Sequence, residues 1–249
     1  MARTARRRPR SQEPLPPPLP PQSRTIGQLV AETIGFYRHH FFQVLPLGLS
    51  VAALTQLTVA FGHRQVVRKT GQPPSQSLKD PTSVLGGGIE TTILLGALLL
   101  TVSYIAAIVL VTGARPDRRR LLTGFAAGVL VFLPAPILAQ LLVLPAVAYL
   151  ALVGWVVPVA IVEGLGFRES FRRAIRLARV DYVHAAGGLA TLVIVFYVTR
   201  LMLALLLRTG GESTERVAAG LSDIVLSPML FVGSAILYLD QSARLEAKK

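Results

Sequence analysis

Four histidines, thirteen carboxylates and no cysteine are what this chain offers for acid–base, nucleophilic or metal chemistry. His39, His40, His63 and His184 fall in no H-E-x-x-H or other metal-ligand spacing, and without cysteine there is no thiolate nucleophile or disulfide. No G-x-S-x-G elbow, Walker loop or dinucleotide fingerprint occurs. The stretch "GLGFRES" has the glycines of a phosphate loop but not its Lys-Ser/Thr pair. The sequence therefore predicts no catalytic, cofactor-binding or metal-binding residue, and no cofactor. The charges that stand out are those set inside apolar runs, Arg200 and Asp223, and those at the ends of such runs, Glu163, Arg168, Arg172, Arg173, Asp240 and Arg244. An ionisable group in hydrocarbon is costly unless paired or hydrated, so each is a functional candidate.

The elements that must carry these groups are apolar helices. Of 249 residues 52% are hydrophobic and only 16% charged, with mean hydropathy +0.54; a soluble chain has about 25% charged residues. Charge-free windows cover 41–61, 91–114, 121–162, 182–199 and 224–239. A helix needs about 20 apolar residues to cross hydrocarbon, so the 42-residue window 121–162 suits two crossings. The reading is an all-α polytopic membrane helical bundle with six transmembrane helices, at about 41–61, 91–113, 121–143, 145–162, 183–207 and 219–239. "ILLGALLLTVSYIAAIVLV" is apolar all round, unlike the alternating strands of a β-barrel. Pro145 is expected to open the fourth helix, with Pro134 and Pro136 kinking the third. Residues 62–90 are expected to form a long coil.

Two further segments are amphipathic, and both are expected to lie flat at the cytoplasmic interface. In "TIGQLVAETIGFYRHH", Thr25 and Gln28 have capping-box spacing, and Ile26, Leu29, Val30, Thr33, Ile34, Phe36 and Tyr37 share one face. In "GFRESFRRAIRLARV", Ser170, Phe171, Ala174, Ile175, Leu177 and Ala178 share a face opposite Arg168, Arg172, Arg173, Arg176 and Arg179. Arg168, Arg172, Arg176 and Arg179 are placed to contact anionic lipid headgroups. Arg200 lies 17 residues beyond Val183, and Asp223 17 residues before Asp240. Both are thus about 25 Å from the inner boundary and are expected to form an ion pair. Glu163, Arg168, Arg172, Arg173, Asp240 and Arg244 are expected to form a cytoplasmic salt-bridge network.

Lys and Arg divide 19 to 6 between the two sets of loops when both termini are cytoplasmic. This bias accounts for the net charge of +13 without nucleic acid as a partner. Residues 1–22 are Arg-rich, then Pro-rich ("EPLPPPLPPQ"), and read as a disordered cytoplasmic tail ahead of a membrane domain at 23–246. The tail is either a solvated topology determinant or a docking segment for an SH3-like partner. No apolar h-region follows the basic start, so no signal peptide is expected.

Three stretches carry a family resemblance: "TIGQLVAETIGFYRHHFFQVLPL", "VVPVAIVEGLGFRESFRRAIRLARVDYVHAAGGL" and "ILYLDQSARLE". Through Pro158, Glu163, Arg172, Arg173, Tyr238, Asp240 and Arg244 the chain resembles the glycerophosphoryl diester phosphodiesterase membrane-domain-like family of bacterial integral membrane proteins. Ala174 stands where that family usually has serine, and Gln241 and Ser242 where its ending often has arginine. The resemblance implies the membrane module alone, without the hydrolytic domain. The functional expectation is a non-catalytic scaffold or interaction module of a bacterial plasma membrane, contacting anionic lipid and either a protein partner or further copies of itself. The rival is a small transporter or channel for a polar or anionic solute, using Arg200 and Asp223 with Gln56, Tyr104 and Gln140. A membrane-embedded lipid enzyme is a third class, requiring carboxylates or histidines to converge. Fluorescent-protein and alkaline-phosphatase fusions at each terminus test the topology: both ends should give fluorescence and neither should give phosphatase activity.

Overall fold

The computed structural model describes residues 24–70, 89–135, 137–138, 143–207 and 212–248. The predicted tail at 1–22, Gln140 and most of the 62–90 loop lie outside the described residues. Within them the chain is helical, with no strand. Its helices are α1 (Ile26–His39), α2 (Phe41–Thr70), α3 (Ile89–Thr112), α4 (Arg118–Phe132) and α5 (Val143–Val153). A short α6 (Val156–Pro158) runs into a π turn, Val159–Glu163, and α7 (Phe167–Val180), α8 (Tyr182–Leu207) and α9 (Glu212–Ala247) follow. Four stretches are long and apolar enough to cross a membrane: Ile93–Thr112, Val143–Glu163, Tyr182–Leu203 and Gly220–Ala247. Phe41–Gln56 is a shorter apolar stretch.

α9 is central, packing against α1, α2, α3, α7 and α8. Close approach depends on small residues, as is usual where lipid is as apolar as leucine and only shape favours helix–helix contact. At Gly48 an added Cβ would lie 2.0 Å from the Ile224 carbonyl oxygen of α9. That oxygen faces four residues on to Pro228, which has no N–H to give it. At Gly128 and Gly233 a Cβ would meet Thr101 and Leu192 at 2.4 Å. Large apolar side chains point outward instead: Phe42 is 85% exposed, Val183 83%, Leu206 75% and Leu144 74%. Such a coat suits hydrocarbon and would aggregate in water.

Several elements differ from the sequence reading. Residues 62–70 extend α2 as helix rather than starting a coil. Helix α4 stops at Phe132, the chain bends at Leu133 and Pro134, and helical structure resumes at Ala135, so Pro134 marks a kink where one was expected. α5 is helical from Val143 onward, so Pro145 lies inside it and does not open it. The fourth span is irregular: Gly154 and Trp155 form a turn, and Pro158 precedes the π turn.

The amphipathic helices also differ from the two flat interfacial helices expected. The Thr25–Gln28 capping box forms as predicted, but α1 runs antiparallel beside α9. The carbonyl of Arg24 accepts from Arg244, Leu29 and Thr33 face Gly188, Leu192, Gly233 and Leu237, and the Tyr37 hydroxyl donates to the Val225 carbonyl. From Arg244 to Val225 is about 28 Å of helix at 1.5 Å per residue. The physical reason is small residues: Gly187 of α8 lies against Ile26 of α1, and Gly188 and Gly233, which let α8 and α9 approach closely, line the crevice that Leu29, Val30 and Thr33 face. α7 lies across the end of the bundle, but its apolar face (Ser170, Ala174, Leu177, Ala178) is buried against protein, not lipid. Phe171 packs on the same core.

Gly48→Ala is expected to destabilise the protein by about 1–3 kcal/mol, the usual cost of overpacking. Gly35→Ala, with nothing within 4 Å of the new Cβ, should leave stability unchanged or raised. Thermal unfolding of the two variants in detergent checks this.

Candidate functional site

One end of the bundle gathers the start of α1, the α3–α4 connection, α7, the α7–α8 corner and the last turns of α9. The charges there form two clusters. In the first, the π turn delivers Glu163 beneath α7, and Gly164 turns the chain away with φ +69. A π turn carries one residue more per turn than an α-helix, which rotates Glu163 off the register α5 and α6 would otherwise set. Arg173 Nε donates to both Glu163 oxygens, at 3.2 Å and 3.0 Å, and the Tyr238 hydroxyl donates to Oε1 at 3.2 Å. Arg173 is 12% exposed and Glu163 23%. This pairing ties α7 and the fourth span to α9. Arg168 and Arg172, expected in the same network, are exposed and make no ion pair among the described residues. Each is 100–200° around α7 from the buried face, so neither can turn inward with Arg173.

The second cluster centres on Arg244. Its Nε donates to Asp240 Oδ2 at 2.7 Å, one guanidinium nitrogen donates to Asp181 Oδ2 at 3.4 Å, and the other donates to the Arg24 carbonyl at 2.8 Å. Asp240 has no exposed surface. His184 Nε2 stands 3.2 Å from Asp240 Oδ2 and 3.2 Å from the same Arg244 nitrogen that reaches Arg24. These two contacts need opposite proton placements on Nε2, so one of them is a hydrogen bond at a time. Gln241, also fully buried, donates to the Asp181 carbonyl at 3.4 Å. Asp240 Oδ1 and Gln241 Oε1 are buried without a hydrogen-bond partner among the described residues. Sequence spacing found Asp240 and Arg244 but missed Asp181, His184, Gln241 and the Arg24 carbonyl. Asp181 did carry a signal: an aspartate directly before a helix is an N-cap, and its Oδ1 accepts the His184 amide at 3.1 Å.

The third arrangement is the expected intramembrane pair. Arg200 Nε lies 3.4 Å from Asp223 Oδ1, and another guanidinium nitrogen 3.5 Å from Oδ2. Asp223 is fully buried, and the Arg200 side chain is 32% exposed. Tyr104 is buried edge-on against Phe132, and Gln56 is exposed. The four arginines assigned to lipid, Arg168, Arg172, Arg176 and Arg179, all lie on the exposed face of α7.

Chemically, these groups neutralise one another. Among the described residues, each buried carboxylate has a guanidinium beside it. Among the described residues, no three His, Asp or Glu side chains stand close enough together to hold a metal ion. No family model matches the chain, and no curated protein or solved structure is similar to it.

Removing one partner of such a pair strands a desolvated charge, so the ties should be strongly coupled. Double-mutant cycles on Glu163→Gln with Arg173→Met, and on Asp223→Asn with Arg200→Met, are expected to give coupling energies of about 0.5–3 kcal/mol in detergent unfolding. Additive losses would mean that the contacts do not hold the bundle.

Proposed function

We propose that this chain is a non-catalytic, six-crossing module of a bacterial plasma membrane, a scaffold that holds a basic cytoplasmic face against anionic lipid. In this reading α2, α3, α4, the fourth span, α8 and α9 are the crossings, and the Arg24–Arg244 end is cytoplasmic. The meeting of Arg24 and Arg244 supports an even number of crossings, and the distribution of Lys and Arg supports the orientation. The resemblance of the Glu163, Arg173, Tyr238, Asp240 and Arg244 positions to the phosphodiesterase-associated membrane family supports a module role. Those are the positions that tie α7 and the termini of the bundle together.

One observation carries the scaffold reading over transport. Several polar groups within the apolar segments are paired inside the protein: Arg200 with Asp223, Ser103 with Ser50 at 2.7 Å, and Thr101, Thr191 and Thr199 with carbonyls one turn back. A solute path needs such groups turned toward a lumen. The transporter reading draws on the Arg200–Asp223 level, where Arg200 is one-third exposed and Asp223 Oδ1 is buried without a hydrogen-bond partner among the described residues. The two separate in proteoliposomes. A scaffold gives no proton or anion flux above empty vesicles, and Asp223→Asn changes stability without changing flux. Flux abolished by Asp223→Asn would establish transport.

A further inference from the structure

At the same end of the bundle, between the first turn of α4 and the loop leading into α7, lies an open cleft of about 720 Å³ lined by polar groups. Three guanidinium groups reach it from two elements: Arg119 and Arg120 from α4, and Arg168 from α7. None of these is spent on the two buried clusters. Arg120 lies against the floor: a Cβ on Gly164 would fall 2.6 Å from its Nε and 2.7 Å from its Cζ. Gly164, at φ +69, is thus both the turn that ends the π segment and the bare backbone that lets the guanidinium settle into the cleft.

Two carboxylates share the lining, Asp117 and Glu169. Asp117 is already engaged: its Oδ1 caps α4 by accepting the Arg120 amide at 2.9 Å and stands 3.9 Å from Arg120 Nε. Its charge thus orients Arg120 instead of closing the cleft. Gly166, the residue before α7, brings no side chain to the amides of the first turn. Apolar surface adjoins the basic lining. Phe167 is 43% exposed within the cleft, and Leu121 and Leu122, next to Arg120, are 38% and 67% exposed. A group of guanidiniums bordered by exposed apolar side chains matches a phosphate joined to something greasy. The volume is far beyond that of inorganic phosphate and falls within the range of organic-ligand sites.

We infer that this cleft is a phosphate-recognition site that takes the phosphodiester of a phospholipid headgroup, with Arg119, Arg120 and Arg168 as its ligands. The inference rests on the membrane-module reading and makes it specific. The exposed stripe of Arg172, Arg176 and Arg179 meets the leaflet as diffuse charge, while the cleft holds one headgroup in fixed geometry. Soluble phosphate esters offer the same chemistry, and the test separates the two sources.

The full chain is reconstituted in vesicles of phosphatidylglycerol mixed with a phosphate-free galactosyl diglyceride, extracted in mild detergent, and its retained lipid read by native mass spectrometry. The expected result is preferential retention of phosphatidylglycerol. Retention should weaken at least about tenfold in the double variant Arg119→Gln/Arg120→Gln, as expected for the loss of charge-assisted hydrogen bonds. Arg115→Gln/Arg118→Gln removes the same charge from exposed positions of the same region outside the cleft lining and should leave retention unchanged. All four positions are exposed, and unchanged thermal unfolding of both double variants confirms that they fold. Inorganic phosphate is then titrated in: displacement of the lipid assigns the site to soluble phosphate compounds, and persistence of the lipid assigns it to the headgroup. Equal losses in the two double variants, or equal retention of the galactolipid, overturns the cleft as a site. Flotation of the vesicles reports separately on the membrane reading, which fails only where the protein does not float with lipid.

Discussion

Asp223 and Asp240 have no exposed surface and sit on the same helix, α9. Charge without water is tolerated only beside charge of the other sign, so each aspartate dictates what stands next to it. Asp223 draws Arg200 of α8 to one level of the bundle, and Asp240 draws Arg244 and His184 to another. These levels are 17 residues apart, and two such constraints on one pair of helices set both their separation and their register. Glu163 imposes a third, holding α7 and the fourth span to Tyr238. The remaining packing fills the frame that these pairings define. α9 packs against α1, α2, α3, α7 and α8, and it carries the groups that cannot be left alone.

Glycine has the complementary role. Where the carboxylates require partners, Gly48, Gly128, Gly188 and Gly233 permit contact by removing what would stand in the way. The approach of Gly48 to the Ile224 carbonyl joins both ideas. Pro228 frees that carbonyl, and the glycine lets α2 cover it from lipid. A freed carbonyl facing hydrocarbon would be costly, so the proline of one helix and the glycine of another are best regarded as a single feature.

Much of this was legible in the residues. The meeting of Arg200 and Asp223 followed from equal distances to the inner boundary, because helical rise is constant whatever the packing. The Thr25 capping box and the buried face of α7 followed from local spacing, which tertiary structure did not override. The errors share a cause. Periodicity says which face of α1 is apolar but not whether lipid or protein meets it, and the glycines that admit α1 lie some 160 and 200 residues further along. Arg168, Arg172 and Arg173 are equivalent by composition; the position of Arg173 nearer the buried face of α7, with the π turn that presents Glu163, selects that pair. Proline marked a break near 133–134 without saying where the next helix begins. The cleft was invisible for a related reason: Arg120 and Gly164 belong to segments that look like separate loops.

The position of α1 has a consequence for how the polypeptide is made. Its partners are α8 and α9, with little contact to α2, and both emerge from the ribosome long after it. Until they do, α1 has an apolar face and nothing to put against it. A bilayer surface is the available resting place, and the amphipathic pattern suits that waiting state as well as the final one. The arrival of α9 then resembles closing a clasp: it brings Arg244 to the carbonyl of Arg24, and α1 leaves the surface for its groove.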